Sequence, residues 1–176
     1  MLSEYNNILA EKILSYPHIK ELPVDVRYIN PFLEATIHVL KTMAFVHSKP
    51  GKPYIKKDEI AKGDITGVIG ISGDHEGSLS ISFSFPCIKG IMEKMLGEVH
   101  DELDEEVNDA VGELTNMICG QARTKLESMK INLKAGIPTI IAGTNHTIRH
   151  ITTSPVIVLP FSTDYGSFSV EFSLIS

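Results

Sequence analysis

Glu113 and Asn116 stand three residues apart in "DAVGELTNMICGQ", residues 109–121, with glycines at 112 and 120. A carboxylate accepts hydrogen bonds and pairs with cations. A side-chain amide carries an acceptor oxygen and a donor NH2 on one group. Two such residues in an otherwise apolar helical run are either solvated bystanders or a working surface for another molecule. The direction in which they point decides between these.

An α-helix turns by about 100° per residue. Over residues 102–129 this places Val107, Val111, Leu114, Ile118, Ala122, Leu126 and Met129 in one stripe, which is expected to pack on a sheet. Glu113 and Asn116 fall roughly 150° from the centre of that stripe, on opposite sides, and therefore point outward. Asp109, Gly120 and Arg123 share the outer face. A glycine inside a helix costs about 1 kcal/mol relative to alanine. No cap explains Gly120, because the pattern continues to Met129. Close approach of another backbone would explain it, whether a partner's or that of another helix in the same fold.

The elements that must carry this helix are legible from periodicity. Residues 3–16 have helical spacing and end at Pro17. A second helix is predicted over 29–44, with Asn30 as cap, Pro31 at its first position, and Phe32, Thr36, Val39, Leu40 and Met43 on one side. The segment 45–63 reads as an irregular edge strand with loops. In "DITGVIGISGDHEGSLSISFSF", Leu79, Ile81 and Phe83 alternate with Ser80, Ser82 and Ser84 beyond a Gly73-Asp74 turn. That pattern predicts a hairpin with one buried and one polar face. A helix over 86–96 precedes the long one, and "LKAGIPTIIAG", "PVIVLPFS" and "SFSVEFSLI" supply three more strands. The fold class is α+β: an antiparallel sheet with long helices packed on one face.

Composition narrows the partners. A chain of 176 residues fits one domain, and a net charge of −6 without a dense Lys/Arg run argues against nucleic acid. Cys87 and Cys119 sit in apolar surroundings outside any CxxC pattern, as buried reduced thiols would. The opening "MLSEYNNILAEK" lacks signal-peptide order, and no apolar run approaches the ~20 residues that cross a bilayer. A cytoplasmic protein without membrane contact is expected. His146 and His150 lie four apart, but in strand or loop context and without a third ligand, so no metal site is predicted. The acidic "DELDEE" is expected to complement the positive end of the long helix, with Asp101 or Asp104 near its cap.

"AVGELTNMICGQ" resembles the G-E-x-x-N-x-x-x-G pattern of the CheC/CheX family, bacterial phosphatases that dephosphorylate the chemotaxis response regulator CheY. Gly112, Glu113, Asn116 and Gly120 match it. "INPFLEATIHVLKTMAF" is similar to the family's first core helix and "VIGISGDHEGSLSISFS" to its central hairpin, and the later strands agree in order and spacing. The resemblance covers about 26–176, which marks 1–25 as an N-terminal helical extension and 26–176 as the phosphatase domain. Two-site members carry a second ExxN in the first core helix. Here Glu34 is followed three residues later by Ile37, so the single-site, CheX-like form is implied. Thr115 occupies a place often held by glycine in relatives.

The resemblance implies a division of labour. An aspartyl phosphate is already reactive, and what its hydrolysis lacks is a water held in line with phosphorus. Asn116 would position that water. Glu113 would pair with the lysine of the response regulator's phosphorylation site and so fix the angle of entry. Gly112 and Gly120 would admit the partner's backbone, with Asp109 and Arg123 beside them on the docking face. The chain would need no cofactor or metal of its own, because the Mg2+ belongs to the response regulator. A homodimer with sheets joined edge to edge is also implied, and strands such as "VEFSLIS" could present the pairing edge. A non-catalytic adaptor of the same fold that binds response regulators is the alternative. A small-molecule sensor is weaker still, because no polar residues converge on a cleft.

Overall fold

A computed structural model describes residues 26–150 and 152–175. The helix expected over 3–16 lies outside the described residues. A short turn at Val26–Tyr28 leads into α1 (Ile29–Met43), followed by the two-residue strands β1 (Lys49–Pro50) and β2 (Tyr54–Ile55). The hairpin β3 (Ile65–Gly73) and β4 (Glu76–Phe83) comes next, then α2 (Phe85–Leu96) and α3 (Glu105–Ser128). The chain closes with β5 (Leu133–Ala135), β6 (Thr139–Ala142), β7 (Ile157–Thr163) and β8 (Gly166–Ile175). None of the described helices is long and apolar enough to cross a membrane.

All eight strands join one sheet in the order β1-β7-β8-β4-β3-β5, with β2 also on β7 and β6 also on β3. Every pairing is antiparallel. Leu79, Ile81 and Phe83 of β4 register against Phe172, Val170 and Phe168 of β8, so two alternating strands present one continuous apolar face. The helices cover that face. Phe32 of α1 stacks on Phe172 with ring centroids 4.6 Å apart, and both rings are buried. Burying such a side chain contributes about 1.5–3 kcal/mol.

Four expectations are corrected. Residues 170–175 of "VEFSLIS" belong to β8, between β7 and β4, a central strand rather than an edge. The sheet's ends are β1 with β2, and β5 with β6. "LKAGIPTIIAG" is not one strand but two, β5 and β6, which pair in turn with β3. Asn30 does not cap α1, because the helix starts one residue earlier with no side-chain cap. Finally, the serine-rich face of the hairpin is not solvated. Thr66, Ser78, Ser80, Ser82, Ser169, Glu171 and Ser173 are all buried.

Two irregular stretches close over that polar face and bring hydrogen-bond partners to several of its groups, though Ser80 and Ser169 Oγ have none among the described residues. His146 Nδ1 lies 2.6 Å from the Gly143 carbonyl, which can only accept, so this nitrogen is the donor. Its Nε2, 2.6 Å from Thr66 Oγ1, then accepts from the hydroxyl in the neutral imidazole. His150 Nδ1 meets Ser78 Oγ at 2.8 Å, and Ser173 Oγ donates to the Ser154 carbonyl at 3.0 Å. Lys56 Nζ lies 2.7 Å from Glu171 Oε2, with both side chains at least 95% buried. Burial opposes ionisation of Glu171, but His150 and Lys56 outweigh it and hold the carboxyl below its ordinary value. The two histidines are thus fastened into a roof over the sheet.

Candidate functional site

The long helix is fixed at its start, its underside and its end. Asp104 is the N-cap, with Oδ1 accepting from the Val107 amide at 2.9 Å, and Glu105 and Glu106 place further negative charge in the first turn. Asp101, the other expected capping residue, pairs instead with Lys89 at 2.6 Å. Val107, Val111, Leu114, Ile118, Ala122 and Leu126 are fully buried, as helical phase predicts. Met129 departs from the stripe. It follows the last helical residue and is 41% exposed.

The underside shows why Thr115 is accommodated. A Cβ on Gly67 of β3 would stand 2.1 Å from Thr115 Oγ1 and 3.1 Å from Thr115 Cβ. The missing side chain in the strand makes room for the threonine on the helix. Thr115 Oγ1 donates to the Val111 carbonyl at 2.7 Å, which satisfies the buried hydroxyl. Ala110 and Cys119 join the buried side. Cys87 and Cys119 are both free and buried, and burial pushes each thiol up to about 11.

Glu113 and Asn116 lie on the opposite side, both exposed. Among the described residues neither side chain makes a hydrogen bond or ion pair, and the same holds for exposed Asp109. A separation of three residues sets the two groups about 4.5 Å apart along the axis, near enough to enter one recess together. Gly112 and Gly120 flank them. A Cβ on Gly112 would meet only Ile140 Cδ1, at an ordinary 3.6 Å, and one on Gly120 would meet open space. Packing within the described residues requires neither glycine, so close approach by a neighbouring helix of the same fold does not explain them.

Arg123 is less free than its helical position suggests. Its Nε donates to the Leu133 carbonyl at 2.7 Å, which ties α3 to the start of β5. With Gly120, Thr124, Glu127, Asn132 and Leu133 it lines an open cleft of about 380 Å³. The Glu113–Asn116 face therefore runs on into a recess at its C-terminal end. On α1, Ile37 is buried and half-buried Glu34 is paired with Lys125 of α3. Glu34 and Ile37 of the first core helix are thus engaged in pairing and packing within the fold.

Fold and site together define a CheC-like α+β domain with an exposed Glu–Asn face on α3. The chain matches the family model described as chemotaxis phosphatase CheX over residues 65–162. It is 31% identical over 141 residues to the CheY-P phosphatase CheX of Thermotoga maritima, covering 79% of this chain and 89% of that protein. A solved CheC-like superfamily protein from a Shewanella species is 46% identical, covering 87% of this chain and 100% of that one with a TM-score of 0.82. A chain of the CheX–CheY–BeF3–Mg2+ complex from Borrelia burgdorferi is 28% identical, covering 85% of this chain and 98% of that one with a TM-score of 0.72. The chain belongs to the CheX family of chemotaxis phosphatases.

Proposed function

We propose that this chain dephosphorylates a phosphorylated CheY-type response regulator in chemotaxis signalling, by inserting the Glu113–Asn116 face of α3 into the partner's phosphorylation site. The observation that carries this is a carboxylate and an amide left unengaged and exposed on a helix whose every other turn is fastened. An adaptor would have no use for an amide held in that way. The enzyme does. The amide oxygen of Asn116 accepts from a water while its NH2 donates toward phosphoryl oxygens, and the water attacks phosphorus as the aspartyl carboxylate leaves. The products are inorganic phosphate and the free aspartate.

Glu113 forms a charge-assisted bond with the lysine of the partner's site and sets the angle of α3. Asp109, Gly112, Gly120 and Arg123 make up the docking surface around it, the glycines allowing backbone approach and Arg123 lining the adjoining cleft. The reaction draws on the Mg2+ of the response regulator, and no cofactor of this chain takes part. The setting is cytoplasmic, in keeping with two buried reduced thiols. Two subunits join edge to edge through the β5–β6 or β1–β2 end of the sheet. Exposed Ile137 beside β6 favours the former.

Phosphate release from a phosphorylated receiver domain, followed with and without this protein, tests the activity. Acceleration that grows with enzyme concentration and saturates with receiver is the expected result. Saturable binding with no acceleration would establish the adaptor instead. Light scattering on the eluted peak tests the dimer, and a monomeric mass would remove it.

A further inference from the structure

One cluster of ligand-bearing side chains lies apart from the Glu113–Asn116 face, where the α2–α3 connection meets the first turn of α3. His100 is only 7% exposed. Its Nδ1 lies 2.7 Å from Asp104 Oδ2, so the ring donates from this nitrogen and leaves the Nε2 lone pair free in the neutral imidazole. Nε2 is buried and has no hydrogen-bond partner. It points between two carboxylates, Glu98 Oε2 at 3.9 Å and Glu106 Oε2 at 3.7 Å.

A lone pair facing two anions needs a positive charge between them. A proton on Nε2 would call for an acceptor at about 2.7–2.9 Å, and neither carboxylate comes that close. The spacing suits a larger occupant. One ligand atom from each of Glu98, His100 and Glu106 lies within 4.8 Å of the others. A tetrahedral cation with bonds of about 2.0–2.2 Å sets its ligands about 3.4 Å apart. His100 Nε2 stands a few tenths of an ångström beyond that spacing from each carboxylate, and Glu98 and Glu106, both exposed, can draw together by side-chain rotation to close the wider remaining gap, at most about 1.4 Å.

We propose that Glu98, His100 and Glu106 form a binding site for a divalent first-row cation of the Zn2+ type, with Asp104 orienting the imidazole from behind. An imidazole in the set disfavours Mg2+ and Ca2+, and water completes the coordination. The carboxylate–histidine–metal relay is the arrangement that fixes tautomer and ring direction at such sites. Asp104 serves twice, since its other oxygen caps α3. The cation ties the connecting loop to the first turn of the working helix and relieves the repulsion among three clustered carboxylates. Glu106 precedes Glu113 by seven residues, about 10 Å along the axis, so the cation is structural and takes no part in the phosphatase reaction. His146 and His150, the histidines spaced four apart in the sequence, bond instead to Thr66 and Ser78 on the sheet.

Titration calorimetry with Zn2+ on the full chain at pH 8 tests the site. The alkaline condition matters because the hydrogen bond to Asp104 and the three nearby carboxylates, Asp104, Glu106 and Glu98, hold the His100 pKa above its ordinary value, so a proton competes. One Zn2+ per chain is expected, bound at least tenfold more weakly by Glu98→Gln or Glu106→Gln and not at all by the double variant. Both variants keep the His100–Asp104 pair, and circular dichroism checks their folding. Zn2+ should raise the melting temperature of the wild type and leave the double variant's unchanged. Equal affinity in the double variant, or no uptake by the folded wild type, would overturn the site.

Discussion

Asn116 and Glu113 are given separable tasks, and residue-level substitutions should separate them. Glu113→Ala removes a charge-assisted contact of the kind worth about 1.5–3 kcal/mol. The complex with a phosphorylated receiver should therefore weaken by roughly 10- to 100-fold, and its affinity should lose part of its salt dependence. Calorimetric binding at two ionic strengths checks this, and unchanged affinity would remove Glu113 from docking. Neither Glu113→Ala nor Asn116→Ala should matter to stability, because both side chains are exposed and unpaired. This much of the site is legible in the sequence, since helical phase alone turns Glu113, Asn116 and Asp109 outward. The tether on Arg123 is not. Its partner is the Leu133 carbonyl beyond the end of the helix, a contact that periodicity does not encode.

At the scale of the element, α3 is held tightly below and left open above, and its glycines report both. Gly120→Ala meets open space, so it should raise stability by about 0.5–1 kcal/mol in chemical denaturation. Gly120→Leu should leave the fold intact and slow partner turnover, because the added bulk lies beside the proposed docking residues. Beneath the helix the sign reverses. Gly67→Ala would drive a methyl into Thr115 Oγ1 and should destabilise by about 1–3 kcal/mol. Adding Thr115→Ala should return part of that loss, and a double-mutant cycle with no coupling would contradict the contact. The six-residue apolar stripe is readable in the sequence. The pairing of Thr115 with Gly67 is not, because it joins a helix to a strand 48 positions earlier, a tertiary relation that neither local pattern contains.

For the whole molecule, the sheet faces different surroundings on its two sides, and the sequence discloses the sides better than the surroundings. Period-two alternation separates Leu79, Ile81 and Phe83 from Ser78, Ser80 and Ser82, yet gives no hint that the serines are covered. Their cover is an aperiodic run containing His146 and His150, which no repeat pattern marks. Strand order is equally hidden, so "VEFSLIS" passes for an edge although it pairs on both sides. The buried face makes stability depend on acid. Because the folded Glu171 pKa is lowered from 4.5, its contribution is complete above that value and fades as pH falls through the lower folded value. Urea midpoints measured across this range should drop for the wild type. Glu171→Gln strands the buried Lys56 charge and should cost about 3–5 kcal/mol at neutral pH, with the Glu171 part of the acid dependence gone.

In the proposed mechanism Asn116 positions the attacking water and so carries the chemistry. The most direct test of that role is the rate of phosphate release from a saturating phosphorylated CheY-type receiver, compared between wild type and Asn116→Ala under conditions where both are shown to bind. The expected result is loss of the acceleration by on the order of 100-fold or more, with affinity and melting temperature unchanged. Full acceleration by the alanine variant would contradict the central claim.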